Sequence, residues 1–321
     1  MPHPYDKITA TVLQDSISPD DNGGRITTMI LTMPRFILAE FNTHRCFSRN
    51  SASSRAIPLK RQISNMNDGD YYIPIIGKNQ KGMSSDGEPA DAETQGTFNN
   101  AQEKLRKEAQ ATALQFEDYH KQWVSRILEP WGIHTVLVTS MDWENFFELR
   151  CHKAAQPEMQ VLAIRMFEAL WESVAVARYI HAPFYDDESL EFNPTVRGLI
   201  TMDTDLHIVG IDPELENILK MSAGRCARVS YKQHDGVIDP VADIGLAEKL
   251  ASYKHLSPFE HQAIYGYRTY HKSNFHSGWI QYRSLIPGAK ETMGMDEIGL
   301  SIVEQFGENP TVMGYEVVKW D

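Results

Sequence analysis

THRCFSRNSASSR, from Thr43 to Arg55, is the stretch on which the reading of this chain turns. It interleaves three guanidiniums, Arg45, Arg49 and Arg55, with Ser48, Asn50, Ser51, Ser53 and Ser54. Guanidinium forks bind phosphate bidentately and hydroxyls add donors, so the pattern suits an anionic ligand about as well as it suits a solvated capping loop. The surrounding charge is one-sided: Arg35 to Arg61 carries +5 in a chain whose net charge is −12. That overall acidity argues against a protein built chiefly to hold a nucleic-acid duplex, and no nucleic-acid partner is expected.

Outward from this stretch the chain alternates element types. Upstream, ITATVL near the start and Ile26 to Met33 are short and β-branched, the second closed by Pro34, as strands are. Downstream, residues 77–100 are polar and rich in Gly and Pro, which reads as a long loop. Asn100 and Glu103 form a capping-box pattern for a helix whose stripe Leu105, Ala109, Ala113, Phe116, Tyr119, Trp123 and Ile127 is expected to pack into the core. A second helix opens at Pro157, with Met159, Leu162, Ala163, Met166, Phe167, Leu170, Trp171 and Val174 on one core-facing side.

Gly198 to Ile211 reads as a hairpin, Pro213 opens another helix, Pro240 to Tyr253 a further one, and Ala263 to Tyr270 alternates like a strand. Without a regular βαβ period, an α+β fold with a mixed, largely antiparallel sheet and packed helices is expected. No GxGxxG or GxxxxGK[ST] loop is present, so a nucleotide must be held by another device.

The 321 residues, 42% apolar and 10% aromatic, suffice for a folded core. Cys46, Cys151 and Cys226 form no CxxC pair, so neither zinc nor disulfides are indicated and a reducing compartment fits. The start has no charged-then-apolar leader, and no apolar run approaches a membrane span of roughly 20 residues; a cytoplasmic protein without membrane partners is the expectation.

Two further dense stretches stand out. In Asn145 to Glu158, NFFELRCHKAAQPE, Asn145, Arg150, His152 and Lys153 precede a helix N-terminus that favours anions. The other is SAGRCARVSY (Ser222 to Tyr231) followed by HLSPFEHQ (His255 to Gln262). His255, Glu260 and His261 match no standard ligand spacing, so no metal is expected.

Together these stretches resemble the flavin-dependent thymidylate synthases. The family pattern RHRxxSxNxxSxR is met by Thr43, His44, Arg45, Ser48, Asn50, Ser53 and Arg55, with Thr43 replacing the first Arg. NFxxLRxxxxAQxE is met by Asn145, Phe146, Leu149, Arg150, Ala155, Gln156 and Glu158, and an A/S-R-I-x-x-P element by Ser125, Arg126, Ile127 and Pro130. Ser51, Ala56 and Ala154 stand where members have Glu, Tyr and His, and Glu40 where many have Gln. The elements within 222–262 lie at the N-terminus of typical members, so the order resembles a circular permutation. Ser257 to His261 is then expected beside Thr27 to Arg45, within one subunit or across an interface. The plan implies one catalytic unit over 1–321, with a tail, 272–321, outside the resemblance.

The resemblance implies methylation of dUMP to dTMP with FAD as cofactor, and with methylenetetrahydrofolate and NADPH as co-substrates, in a homotetramer. It implies a catalytic role for Arg150, which also binds substrate alongside Ser53, Arg55 and Arg126. FAD contacts fall on His44, Arg45, Asn145, Ser230, His255 and Ser257. Classical synthases add a cysteine thiolate to the pyrimidine; this family needs none. One-carbon transfer to another pyrimidine nucleotide such as dCMP, or nucleotide binding without catalysis, are the alternatives.

Overall fold

The computed structural model describes residues 3–19, 24–82, 88–185, 198–202, 208–231, 239–266, 273–288, 301, 304–305, 311–312 and 315–316. Two compact units result, Met1–Arg283 and Ser284–Asp321. The division falls after Arg283, where the sequence suggests a tail from 272. In the second unit Thr311–Val312 pairs antiparallel with Tyr315–Glu316.

The first unit is α+β. Strands β1 (Thr9–Ile17), β2 (Arg25–Pro34), β3 (Ser48–Ser51), β4 (Ile133–Ser140) and β5 (Val176–Ala177) form one sheet in the order β3-β4-β2-β1-β5. Every pairing is antiparallel except that of β1 with β5. A smaller antiparallel sheet joins β6 (Ile180–His181), β9 (Ala263–Tyr265) and β10 (Trp279–Gln281). The expected hairpin forms from β7 (Ile200–Met202) and β8 (Ile208–Ile211), its turn lying outside the described residues, as do 267–270 of the last expected strand.

Both faces of the main sheet are covered. Met29, Leu31 and Met33 of β2 and Val136 and Val138 of β4 pack with Met159, Leu162, Ala163 and Met166 of helix α6 (Pro157–Glu172) and Phe146 of α5 (Glu144–Arg150). Period-two alternation turns Leu137 to the other face, against Cys226 of α7 (Pro213–Arg228) and Val229 just beyond it. There a buried hydrogen-bonded series runs from Ser16 to His181 (2.9 Å), to Thr28 (2.7 Å), to Thr139 (2.6 Å) and to His261 (2.8 Å). The 222–262 segment is thereby placed against the strand leading to Thr43, within one chain.

Helix α7 is fastened to α8 (Pro240–Ser252) by the fully buried Asp243, which accepts from Arg225 Nε (3.0 Å) and Arg228 Nε (2.8 Å). At Gly224 any Cβ would press into the Asp243 backbone, so only glycine permits this approach.

Two expectations fail. The helix expected from Asn100 is α3, Ala92–Gln115, capped by Asp91, whose carboxylate accepts from Thr94 N (2.8 Å). Residues 92–100 are therefore helix rather than loop. Their first turns are polar on every side and carry no stripe to betray them; Gln95 braces the preceding segment through Ile76 N and Pro74 O. Of the Leu105–Ile127 stripe only Ala109, Ala113 and Ile127 reach the core. Arg106 and Gln110 point inward beside them, Arg106 lying over the Tyr71 ring. The chain leaves helical geometry at Phe116 and continues through α4 (Lys121–Val124) and a 3₁₀ run, Ser125–Trp131, which breaks the period. Leu105, Phe116, Tyr119 and Trp123 are exposed. On α6 the core takes only half of the expected face, leaving Phe167, Trp171 and Val174 outside.

Candidate functional site

The motif residues gather at the two ends of β3. At its N-terminal end, the turn after α1 (Leu38–Phe41) brings His44 against the last turn of α5, where Arg150 Nε donates to His44 Nε2 across 3.0 Å. Phe146 meets the imidazole edge-on, with centroids 4.9 Å apart. His44 is buried, and desolvation together with Arg150 and Arg49 holds its pKa below the ordinary value, so the ring is a neutral acceptor and its proton sits on Nδ1. Arg150 itself is half-buried, and its Nη2 reaches Thr43 Oγ1 at 3.5 Å. Arg45 and Asn145 are exposed beside this pair.

Arg49 belongs to the architecture rather than to the open surface. Its Nη1 donates to the carbonyls of His44 (3.0 Å) and Phe41 (3.3 Å), closing the turn that carries His44. Its place inside the motif gives no hint of this, since arginines for ligand and for backbone look alike in sequence.

At the other end of β3, Ser53 N donates to Ser230 O (3.1 Å), Ser230 Oγ donates to Asn50 Oδ1 (3.3 Å), and Asn50 Nδ2 donates to Cys226 O (2.6 Å). The serine-rich motif and SAGRCARVSY are thus one local structure. Beside them Glu129 accepts from Ser54 Oγ (2.5 Å) and pairs with Arg35 (3.1 Å) and Arg126 (3.6 Å). Arg55 and Arg126 are exposed. The hollow under Ser54 and Glu129 holds only about 50 Å³, far below a nucleotide's size, so these groups are presented on the surface. Four strand residues separate the two ends, roughly 13 Å at the usual rise per residue.

Ser257 begins a 3₁₀ turn, Ser257–Glu260, that packs on β3; His255 is exposed just before it. Gln281 ties this turn to the strand, donating to Glu260 O (2.9 Å) and Ser48 Oγ (3.0 Å). His261 and His181 are wholly buried, and burial lowers both pKa values to about 3, so they are neutral structural groups. Burial pushes the thiols of Cys46, Cys151 and Cys226 up, the reverse of what a thiolate nucleophile needs. Among the described residues no group of three or more His, Cys, Asp or Glu is arranged to hold a metal ion, and no helix is long and apolar enough to cross a membrane. The donor set around His44, with Arg45 and Arg150 nearby and the histidine uncharged, fits a group that carries phosphates.

Comparison with known proteins agrees on part of the chain. Residues 24–174 match the family described as thymidylate synthase complementing protein. No curated protein matches. Among solved structures the chain is similar to the UMP/dUMP methylase PolB from Streptomyces cacaoi bound with 5-Br UMP, at 15% identity and a TM-score of 0.42, over 51% of this chain and 88% of that one. The same enzyme bound with 5-Br dUMP gives 14% identity and a TM-score of 0.42, over 51% and 89%. The matched family segment contains β2, β3, β4, α5, α6, His44 and Arg150. That match spans just under half of the chain.

Proposed function

We propose that the protein methylates dUMP to dTMP, with FAD as cofactor, methylenetetrahydrofolate as carbon donor and NADPH as reductant. The observation that carries the reading is Arg150 held by a neutral His44 within the matched segment. Methylating C5 of a uracil requires electron density there, which an enolate-like pyrimidine supplies. A guanidinium fixed beside the developing oxyanion stabilises that form without reorganising. His44 accepts from Nε and leaves the Nη groups of Arg150 to face the ring.

Ser53, Arg55 and Arg126 take the nucleotide phosphate as donors. Glu129 restrains Arg126 until the anion arrives. His44, Arg45, Asn145, Ser230, His255 and Ser257 are assigned to the flavin, whose bound form supplies the reducing equivalents. The phosphate donors and Arg150 stand at opposite ends of β3, so the working site is read as one shared between copies of the chain in a homotetramer.

Arg150→Ala tests this. Turnover is expected to fall by about 10²-fold or more while FAD binding changes little; loss of flavin with unchanged chemistry contradicts the role. A second reading, one-carbon transfer to another pyrimidine nucleotide such as dCMP, draws on Glu40, whose Oε2 is buried without a hydrogen-bond partner among the described residues. Product analysis with dUMP and dCMP side by side separates the two.

A further inference from the structure

Three polar side chains meet where β4 ends and β10 begins, and none of the roles assigned above uses them. Asp142 stands two residues past β4, its N–H donating to Ser140 Oγ (3.1 Å). His276 and Ser277 form the turn into β10, which Trp279 N closes by donating to His276 O (2.9 Å). His276 is bonded through both ring nitrogens: Nε2 meets Asp142 Oδ1 at 2.9 Å, and Nδ1 meets Ser277 Oγ at 2.9 Å. His276 N also reaches Met141 Sδ at 3.3 Å, which ties the turn to the segment carrying Asp142.

The chemistry of the three groups sets the direction of the series. A carboxylate only accepts, so Nε2 carries the imidazole proton, and Nδ1 of the neutral ring offers a lone pair to the Ser277 hydroxyl. This is the order of a serine nucleophile, its base and the carboxylate that orients the base, with the two ring nitrogens exchanged relative to the usual serine hydrolase. Ser277 lies at φ 48° and Gly278 at φ 87°, so a non-glycine residue is held in the left-handed region, as strained residues at active sites are. The N–H of Gly278 donates to no group among the described residues, and the N–H that follows a nucleophile is a ready oxyanion donor. Gly24 leaves the hydroxyl uncovered: a Cβ there would lie 3.2 Å from Ser277 Cβ and 3.5 Å from its Oγ. Ser277 and His276 are both exposed, within reach of a ligand from solvent.

We propose that Ser277, His276 and Asp142 form a separate catalytic site that hydrolyses esters of short acyl groups. Ser277 Oγ bonds to the acyl carbon as its proton passes to His276 Nδ1, and the carbonyl oxygen takes up the negative charge against the Gly278 N–H. The tetrahedral centre then expels the alcohol, which leaves with that proton. Water attacks the acyl-serine in the same way, giving its proton to Nδ1, and the carboxylic acid departs as Ser277 recovers its hydroxyl proton. Asp142 keeps the ring in the tautomer that can accept and stabilises the imidazolium that forms. The short acyl group follows from the open turn, where the bare Gly24 leaves room beside the hydroxyl for little more than a carbonyl and a methyl. The proposal does not depend on the methylation reading, since none of the residues assigned there takes part.

The experiment treats the purified full chain with diisopropyl fluorophosphate, which phosphorylates activated serines, and locates the adduct by peptide mass spectrometry, while hydrolysis of 4-nitrophenyl acetate is followed in parallel. Two variants run alongside: Ser277→Gly, which removes the hydroxyl and suits the left-handed backbone, and Asp142→Asn, which keeps the shape but no longer fixes the tautomer. An adduct on Ser277, formed about 10-fold or more slowly in Asp142→Asn, with ester turnover lost in Ser277→Gly, is the expected result. No adduct, an adduct on another residue, or ester turnover that Ser277→Gly leaves unchanged overturns the proposal. Should Asp142→Asn fail to fold, Ser277→Gly decides, because it changes only an exposed turn residue. An adduct on Ser277 in a protein that forms no dTMP leaves this site standing and removes the activity proposed above.

Discussion

Arg150 donates from Nε to His44 Nε2, a bond that exists only while the imidazole is unprotonated. His44 has a folded-state pKa below its unfolded value, chiefly through desolvation and then through Arg150 and Arg49. The folded state therefore binds fewer protons, and the stabilisation is complete above the unfolded pKa of about 6.5 and is lost as pH falls below it. His44→Gln should flatten the decline in urea midpoint on the acid side of pH 6.5; an unchanged slope contradicts the neutral-acceptor assignment. Glu158 has the opposite sign. Its folded pKa is raised, so its contribution is present below the unfolded value near 4.3 and is lost as pH climbs through the folded one. Glu158→Gln should therefore gain stability relative to the parent as pH rises above the unfolded value, read from the same urea midpoints. Each of Cys46→Ala, Cys151→Ala and Cys226→Ala should retain turnover, because burial disfavours every thiolate. A folded, inactive cysteine variant would revive nucleophilic addition by the protein.

Gly224 sets the spacing of two helices. Adding a methyl there drives α7 against the Asp243 backbone and strains the carboxylate that holds Arg225 and Arg228. Gly224→Ala gains helix propensity yet should still lose roughly 1–3 kcal/mol, the usual cost of overpacking a tight contact. Chemical denaturation measures it, and a neutral or stabilising outcome contradicts the close approach. At this scale the sequence was legible where burial imposes a period. β2 shows it through a β-branched run closed by Pro34, and α6 through Met159, Leu162, Ala163 and Met166. Where burial is achieved by polar side chains the period disappears. α3 turns Arg106 and Gln110 inward beside Ala113, so Leu105 and Leu114 mark the wrong side and the first turns carry no signal. The neighbourhood of SPFEH was legible too: it was expected beside the strand leading to Thr43, and His261 joins Thr28 through Thr139. The pairing of His44 with Arg150 was not, because 106 residues separate them and only the fold joins them.

Among the described residues, several large apolar side chains stand exposed. Trp171 is 79% and Val174 84% exposed, with Phe167 stacked on Trp171 at 5.9 Å; Trp123 and Tyr119 stand out elsewhere. Contiguous apolar patches of this kind mark association surfaces, and the homotetramer proposed above would bury them. Sedimentation should find an oligomer that Trp171→Glu dissociates, with turnover lost on dissociation because the phosphate donors and Arg150 no longer meet. A monomeric, fully active parent would contradict the shared site. The charge distribution acts at the same scale, a +5 window inside a chain of −12 concentrating anion affinity at β3.

The measurement that tests the central claim most directly is the visible absorption spectrum of the purified protein, taken anaerobically before and after NADPH and then with dUMP and methylenetetrahydrofolate added. A flavin spectrum that NADPH bleaches, followed by formation of dTMP, is the predicted result. A colourless protein that takes up no added FAD and forms no dTMP would contradict the account.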